Sequence, residues 1–382
     1  MALHIRRSFR IRFPVDRRVP GEENSAIRIT QNGLRTARFS KIGISSKVKF
    51  YQILGGFDAI TLHVPQSIKV IGSYYVAIFI FLLILCSNVD WIEVFAPPDS
   101  NFDLEAVFTY LDLKNSQFVT PKRNISYEEL VIVSAFSYNH AKEESLFCQH
   151  FETHKELKEW QKWRLVIYTL GDVSPYMIDR IGKKCPKAEF RKFDFSIYPR
   201  YVQRLKEYRW KHLIAAEMLK ESPLVFYGDS SARVNMVSKT PFKNIIDEAL
   251  SEDHVGVSLF RKTVHSIYQA TNPLMYPYLN ITTSQAKQVT MHNASPALWL
   301  GTAEVKTQIL REMVRCSLTE DCMGPPGSRI SCTNNEDSNV YSYCHRYDQS
   351  ALNILLAQNA NFQLDRYISK SKDVCIRRGT KV

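Results

Sequence analysis

Three stretches of this chain combine residue types that can do chemistry. The first is Tyr227-Gly228-Asp229-Ser230-Ser231-Ala232-Arg233, which follows the apolar run Leu224-Val225-Phe226. A carboxylate delivered at the end of a strand can hold a divalent ion, and the ion can neutralise a diphosphate. When a nucleotide-linked sugar reacts, its diphosphate leaves with growing negative charge that metal, Arg or Lys must stabilise. Asp229 is the candidate ligand and Arg233 a candidate for part of that charge. Gly-Asp-Ser-Ser is equally the chemistry of an ordinary strand-to-loop turn.

The second stretch is Cys344-His345-Arg346-Tyr347-Asp348-Gln349, followed by Ser350-Ala351-Leu352-Asn353. Asp348 is placed to cap a helix whose apolar face carries Leu352, Leu355 and Leu356. His345 beside it suits metal ligation or titration near neutral pH; a capped helix with a neighbouring surface histidine is the plainer reading. The third runs from Lys262 to Tyr278 and includes His265, Tyr268 and Gln269. Aromatic faces with hydroxyls suit sugar rings, although 19 Tyr and 21 Phe in the chain mean that most serve elsewhere. There is no Gly-rich phosphate loop with Lys-Ser/Thr, no G-x-S-x-G, no H-E-x-x-H and no kinase motif set, which argues against hydrolase, protease and kinase chemistry.

The elements that must position these residues alternate. LVIVSAFS (130–137), RLVIYTLG (164–171), EFRKFDFS (189–196), LVFYGDSS (224–231) and VGVSLF (255–260) have strand patterns. The runs 144–163, 174–185, 207–222 and 241–252 have helical spacing, with Trp210, Leu213, Ile214 and Met218 on one face of the third. This rhythm predicts an α/β fold with a mainly parallel sheet covered by helices on both faces. In such sheets ligands bind beyond the carboxyl ends of the strands.

Composition sets the surroundings. The chain has 382 residues and a net charge of +12, of which +9 lies in residues 1–69. That asymmetry argues against a nucleic-acid-binding main domain and for a basic, solvated tail, which its charge can hold against anionic lipid. Residues 70–89 are twenty residues without a charge, the length of a single membrane span, flanked by Tyr74, Tyr75 and Trp91. Lys41, Lys47, Lys49 and Lys69 precede it, while Asp90, Glu93 and Asp99 follow. Positive charge on the near side predicts a cytosolic N-terminus and a lumenal C-terminal part. The N-x-[ST] acceptors Asn124, Asn280 and Asn293 all lie beyond the span. So do Cys148, Cys185, Cys316, Cys322, Cys332, Cys344 and Cys375, an odd number suited to disulfides with one thiol left over. Cys316–Cys322 and Cys332–Cys344 are candidate local loops; zinc is the rival, without a C-x-x-C to support it. The expected organisation is a tail over 1–69, a span over 70–89, a stem over 90–125 and a lumenal domain over 126–382.

The runs RWKHLIAAEMLKESPLVFYGDSSARV (209–234), HSIYQATNPLMYPYL (265–279) and CHRYDQSALNILL (344–356) resemble a family expanded in nematodes, domain of unknown function 1647. The resemblance covers roughly residues 125–380. It implies a type II membrane protein of the Golgi or endoplasmic reticulum with the GT-A, nucleotide-diphospho-sugar transferase fold. The implied activity is transfer of a sugar from a nucleotide-sugar donor to a glycan or glycoprotein acceptor. In GT-A enzymes an Asp-x-Asp binds Mn2+ or Mg2+ and the donor diphosphate. The matching place here is Asp229-Ser230-Ser231, so one charged ligand is replaced by a hydroxyl and metal dependence is in question. By position, His345 would complete a metal shell and Asp348 would face the acceptor or act as base. Gln349 would hydrogen-bond a sugar hydroxyl, with His265 and Tyr268 on the acceptor side. The missing second Asp also keeps open a catalytically silent glycan- or partner-binding protein on the same fold.

Overall fold

A computed structural model of the chain describes residues 44–50, 60–65, 102–114, 119–333, 337 and 339–377. The chain divides into two units, residues 1–98 and 99–382. In the first, β1 (Ile44–Phe50) pairs antiparallel with β2 (Ile60–Pro65), inside the segment expected to be a tail. The apolar run 70–89 lies outside the described residues. Among the described residues no helix is long and apolar enough to cross a membrane.

The strands of the second unit are β3 (Leu130–Phe136), β4 (Arg164–Thr169), β5 (Ala188–Lys192), β6 (Leu224–Tyr227), β7 (Ala232–Val234), β8 (Val257–Leu259), β9 (Lys262–Ser266), β10 (Thr290–His292), β11 (Ala297–Leu300) and β12 (Val374–Ile376). The helices are α1 (Leu104–Tyr110), α2 (Ala141–Glu152), α3 (Lys155–Glu159), α4 (Pro175–Gly182), α5 (Trp210–Glu221), α6 (Pro241–Leu250), α7 (Thr283–Gln288), α8 (Arg311–Ser317), α9 (Glu320–Met323) and α10 (Asp348–Asn359). The central sheet has the order β5-β4-β3-β6-β11-β8. Strands β5, β4, β3 and β6 are parallel, while β11 runs antiparallel to both β6 and β8. The expected mixed α/β fold with a mainly parallel sheet is therefore present.

Period-two alternation divides the strand side chains between two cores. Val133, Val225, Tyr227 and Trp299 face one way, against α5, α8 and α10. Ile132, Leu165, Phe226 and Leu298 face the other, against α2, α4 and α6. Continuous burial along β3 and β6 is what a sheet covered on both faces requires.

Several expectations need correction. The strand predicted over 189–196 ends at Lys192, because the Asp194 side chain accepts the Ser196 N–H at 2.9 Å and turns the chain. The predicted helix 144–163 is two helices, α2 and α3. Strand β11 was not anticipated: four residues between Pro296 and Gly301 leave too little pattern. The segment read as a stem, 90–125, contributes α1, and Val107, Phe108, Leu111 and Leu113 enter the core. Disulfides join Cys148 to Cys185, Cys316 to Cys322 and Cys332 to Cys344, and Cys375 is a free thiol, so the two local loops proposed from spacing form and the zinc alternative loses its ligands. Asn124 and Asn280 are exposed, whereas Asn293 is half-buried.

One buried acid stands out. Glu144 on α2 accepts a hydrogen bond from Ser134 Oγ at 3.0 Å, and its other oxygen has no partner. Burial pushes its carboxyl from 4.5 up to about 8. Between those values the folded chain holds a proton that the unfolded chain has released, so stability falls as pH rises through this window. Glu144→Gln should abolish that slope and stabilise the protein by about 1–3 kcal/mol above pH 8, read from denaturant unfolding across pH. An unchanged slope would place the proton on another group.

Candidate active site

Strand β6 ends at Tyr227, and the chain then turns through Gly228 into Asp229. The Gly228 N–H donates to Val133 O at 2.9 Å. A Cβ on Gly228 would lie 2.9 Å from the Phe147 ring and 3.0 Å from Ala232 Cβ, so glycine is needed for close approach. The Asp229 N–H donates to Ser295 Oγ at 2.7 Å. Ser295 reaches it because β11 runs antiparallel to β6, with Ala297 opposite Tyr227.

Asp348 arrives from elsewhere in the sequence. It is the first residue of α10, and Tyr347, at φ 45°, occupies the cap position without a side-chain cap. The Asp348 side chain therefore does not cap the helix as expected; it turns to Lys211. The helix N-terminus still favours an acid there.

Lys211, in the first turn of α5, joins the two. Its Nζ lies 2.9 Å from Asp229 Oδ1 and 3.1 Å from Oδ2, and 3.4 Å from Asp348 Oδ2. The ring of Tyr208 lies 4.6 Å from the ammonium and that of Trp210 5.8 Å, an aromatic wall on a cation. Tyr208, at φ 57°, and Tyr347 are both left-handed non-glycine residues, and such conformations collect at functional sites. The Asp348 and Lys211 side chains are 5% and 8% exposed, Asp229 40%. Asp229 is thus the member of the triad open to a ligand.

Charge balance follows from this geometry. Burial alone would lower the Lys211 ammonium, but Asp229 and Asp348 outweigh it and hold it above its ordinary range. Burial pushes the Asp348 carboxyl up to about 6, against the pull of Lys211 and with the help of Asp229. One residue on, the buried Gln349 Nε2 has no hydrogen-bond partner, and neither has the Tyr227 hydroxyl.

The remaining candidates are held by contacts of their own. His345 is fully buried, with Nδ1 accepting from the Asn272 N–H at 3.1 Å and Nε2 donating to Met323 O at 3.0 Å. Burial lowers it to about 4, and both nitrogens are engaged, so it offers none to a metal. Arg233 is buried and donates to Ser230 O at 2.8 Å and Ala232 O at 2.6 Å; it braces the loop. Ser231 lends its carbonyl to the Arg377 N–H at 2.7 Å. His265 lies on β9, where its N–H bonds Thr263 Oγ1. Tyr268 contacts Lys287 and Tyr341. Among the described residues no three His, Cys, Asp or Glu side chains gather as a metal cage. With Ser231 in place of an acid, His345 engaged and Lys211 on both carboxylates, the residues present do not fit the Mn2+ or Mg2+ implied by the resemblance.

Residues 100–216 match a family model. Its description is Protein of unknown function (DUF1647). The DUF1647 match takes in α1 through Lys211 and stops before Asp229. No curated protein matches the chain. Among solved structures, it is similar to the apo form of WbbM, a bifunctional glycosyltransferase, at 12% identity over 59% of this chain, with a TM-score of 0.36. That likeness spans 37% of the WbbM chain. An active-site mutant of LgtC is similar at 12% identity over 65% of this chain and 88% of its own, TM-score 0.37. The mannosyltransferase Ktr4p from S. cerevisiae is similar at 9% identity over 69% and 78%, TM-score 0.39.

Sequence reasoning missed Lys211 and Ser295. Lys211 was legible only as a charged residue inside a helical run whose neighbours, Trp210 to Ala216, are all buried. Carboxylate-detected NMR on Asp348 should give a midpoint near 6 in the intact chain. Lys211→Met removes the group that lowers it, so the midpoint should rise; one unmoved by that change would show that the two groups do not interact.

Proposed function

We propose that the chain is a type II membrane glycosyltransferase of the Golgi or endoplasmic reticulum. In this reading the N-terminus is cytosolic, residues 70–89 span the membrane and the second unit lies in the lumen. It transfers a sugar from a nucleotide-sugar donor to a glycan or glycoprotein acceptor. The observation that carries the proposal is the meeting of Asp229, at the carboxyl end of a central strand, with Asp348, at the start of α10, through Lys211.

The roles follow from exposure and charge. Asp229, partly open, faces the donor. Asp348 sits deeper, and a carboxyl near 6 is suited to accept a proton from an acceptor hydroxyl at neutral pH. Gln349, with its unpartnered buried amide nitrogen, supplies a donor for a sugar hydroxyl. Ser231, Arg233 and His345 do not contact the ligand directly in this account.

A second reading, a catalytically silent glycan- or partner-binding protein, is favoured by one observation: Lys211 already pairs with both acids.

Nucleoside diphosphate released from a panel of nucleotide sugars, with acceptor glycans present, separates the two. The transferase reading expects release from one donor, reduced at least about a hundredfold by Asp348→Asn. Its rate should fall below pH 6 as Asp348 gains its proton. Release that is indifferent to Asp348→Asn would contradict the assignment. No release by the intact chain from any donor, with glycan binding present, would support the silent protein.

A further inference from the structure

We infer that Lys211 is the resident cation of this site and excludes divalent metal from the Asp229–Asp348 pair. The observations are geometric. A divalent ion bound to Asp229 would use the carboxylate oxygens at roughly 2.0–2.6 Å. Both of those oxygens already face the Lys211 ammonium, at 2.9 and 3.1 Å. The nearest second carboxylate, Asp348, also points an oxygen at Nζ, 3.4 Å away. A metal bridging the two acids would have to sit on or beside a fixed positive charge.

The ammonium is held there. Its stem belongs to the first turn of α5 and its side chain is buried. Tyr208 and Trp210 face it with their rings. Moving the ammonium aside would strip its aromatic partners and leave Asp348 buried and unpaired, which is costly. The other ligands that could recruit metal are lacking: Ser231 offers a hydroxyl instead of a carboxylate, and the nitrogens of His345 are engaged by Asn272 and Met323.

The inference concerns the empty-handed protein and does not depend on which ligand it takes. Where it meets the glycosyltransferase reading, and resting on that reading, it specifies donor binding without divalent metal at Asp229.

The test uses Mn2+ alone with the full-length chain, followed by electron paramagnetic resonance of the free ion in mildly alkaline buffer. The intact protein should show no Mn2+ binding that Asp229→Asn removes. Lys211→Ala should create a site at least about tenfold tighter than any in the intact chain, lost again in the double variant with Asp229→Asn. Lys211→Arg, which keeps the charge, should exclude the ion as the native residue does. Lys211→Gln, closer in size, replaces the alanine variant if near-ultraviolet circular dichroism shows that variant to be unfolded. Mn2+ bound by the intact chain at Asp229 would overturn the inference. So would folded Lys211→Ala and Lys211→Gln proteins that bind no more ion than the native one, since the lysine would then not be what keeps metal out. A parallel titration with a nucleoside diphosphate in excess chelator separates this from the functional reading. Nucleotide bound without metal supports both, and Mn2+ exclusion without nucleotide binding leaves the inference standing while the transferase reading fails.

Discussion

An ammonium group held between two carboxylates, out of reach of bulk water, is the interaction on which this domain's site depends. Lys211 cannot be buried alone, because an unpaired charge in the interior is prohibitive. Asp348, 5% exposed, cannot be buried alone either. Each makes the other tolerable, and Asp229 completes the set at the surface. The three carry one more negative than positive charge, which the raised Asp348 carboxyl relieves by taking a proton near pH 6. A buried ion pair is weak evidence for stability, yet removing one partner is strongly destabilising. The positions of α5, β6 and α10 are thereby tied to one another.

The topology delivers these residues by matched lengths. From Lys211 to the end of α5 at Glu221 the helix rises about 15 Å. From Leu224 to Asp229 an extended chain advances about 16 Å. A helix that folds back along the following strand therefore returns its first turn to the strand's far end. Antiparallel β11 brings Ser295 to the same end, where it holds the Asp229 backbone. The disulfide Cys332–Cys344 lies just before His345 and α10, and His345 ties that segment to Asn272 and Met323. A residue expected to ligate metal thus helps to place Asp348 instead.

The layout was largely legible because burial on both sheet faces writes itself as apolar runs: LVIVSAF, RLVIYT and LVFY are strands as expected, and Trp210, Leu213, Ile214 and Met218 are buried together. Asp229 and Asp348 were visible as acids at element ends. Their meeting was not, because it depends on which helix lies over which strand, and no local pattern records that. Lys211 escaped for a related reason: a lysine next to Trp210 and His212 reads as solvated until its partners are known. Arg233 and His345 show the converse, since charge and imidazole suggested ligands while their hydrogen bonds go to the backbone. The local disulfides needed only short-range pattern, and their pairing was read correctly.

The central claim is that Lys211 and Asp348 act as one charged unit. A double-mutant cycle in denaturant unfolding, using Lys211→Met, Asp348→Asn and the double variant, tests it directly. Lys211→Met, which strands the buried Asp348, should cost about 3–5 kcal/mol. Asp348→Asn should cost less, because Asp229 still pairs with Lys211, and the double variant should cost clearly less than their sum. Additive losses, with no coupling between the two positions, would contradict the account.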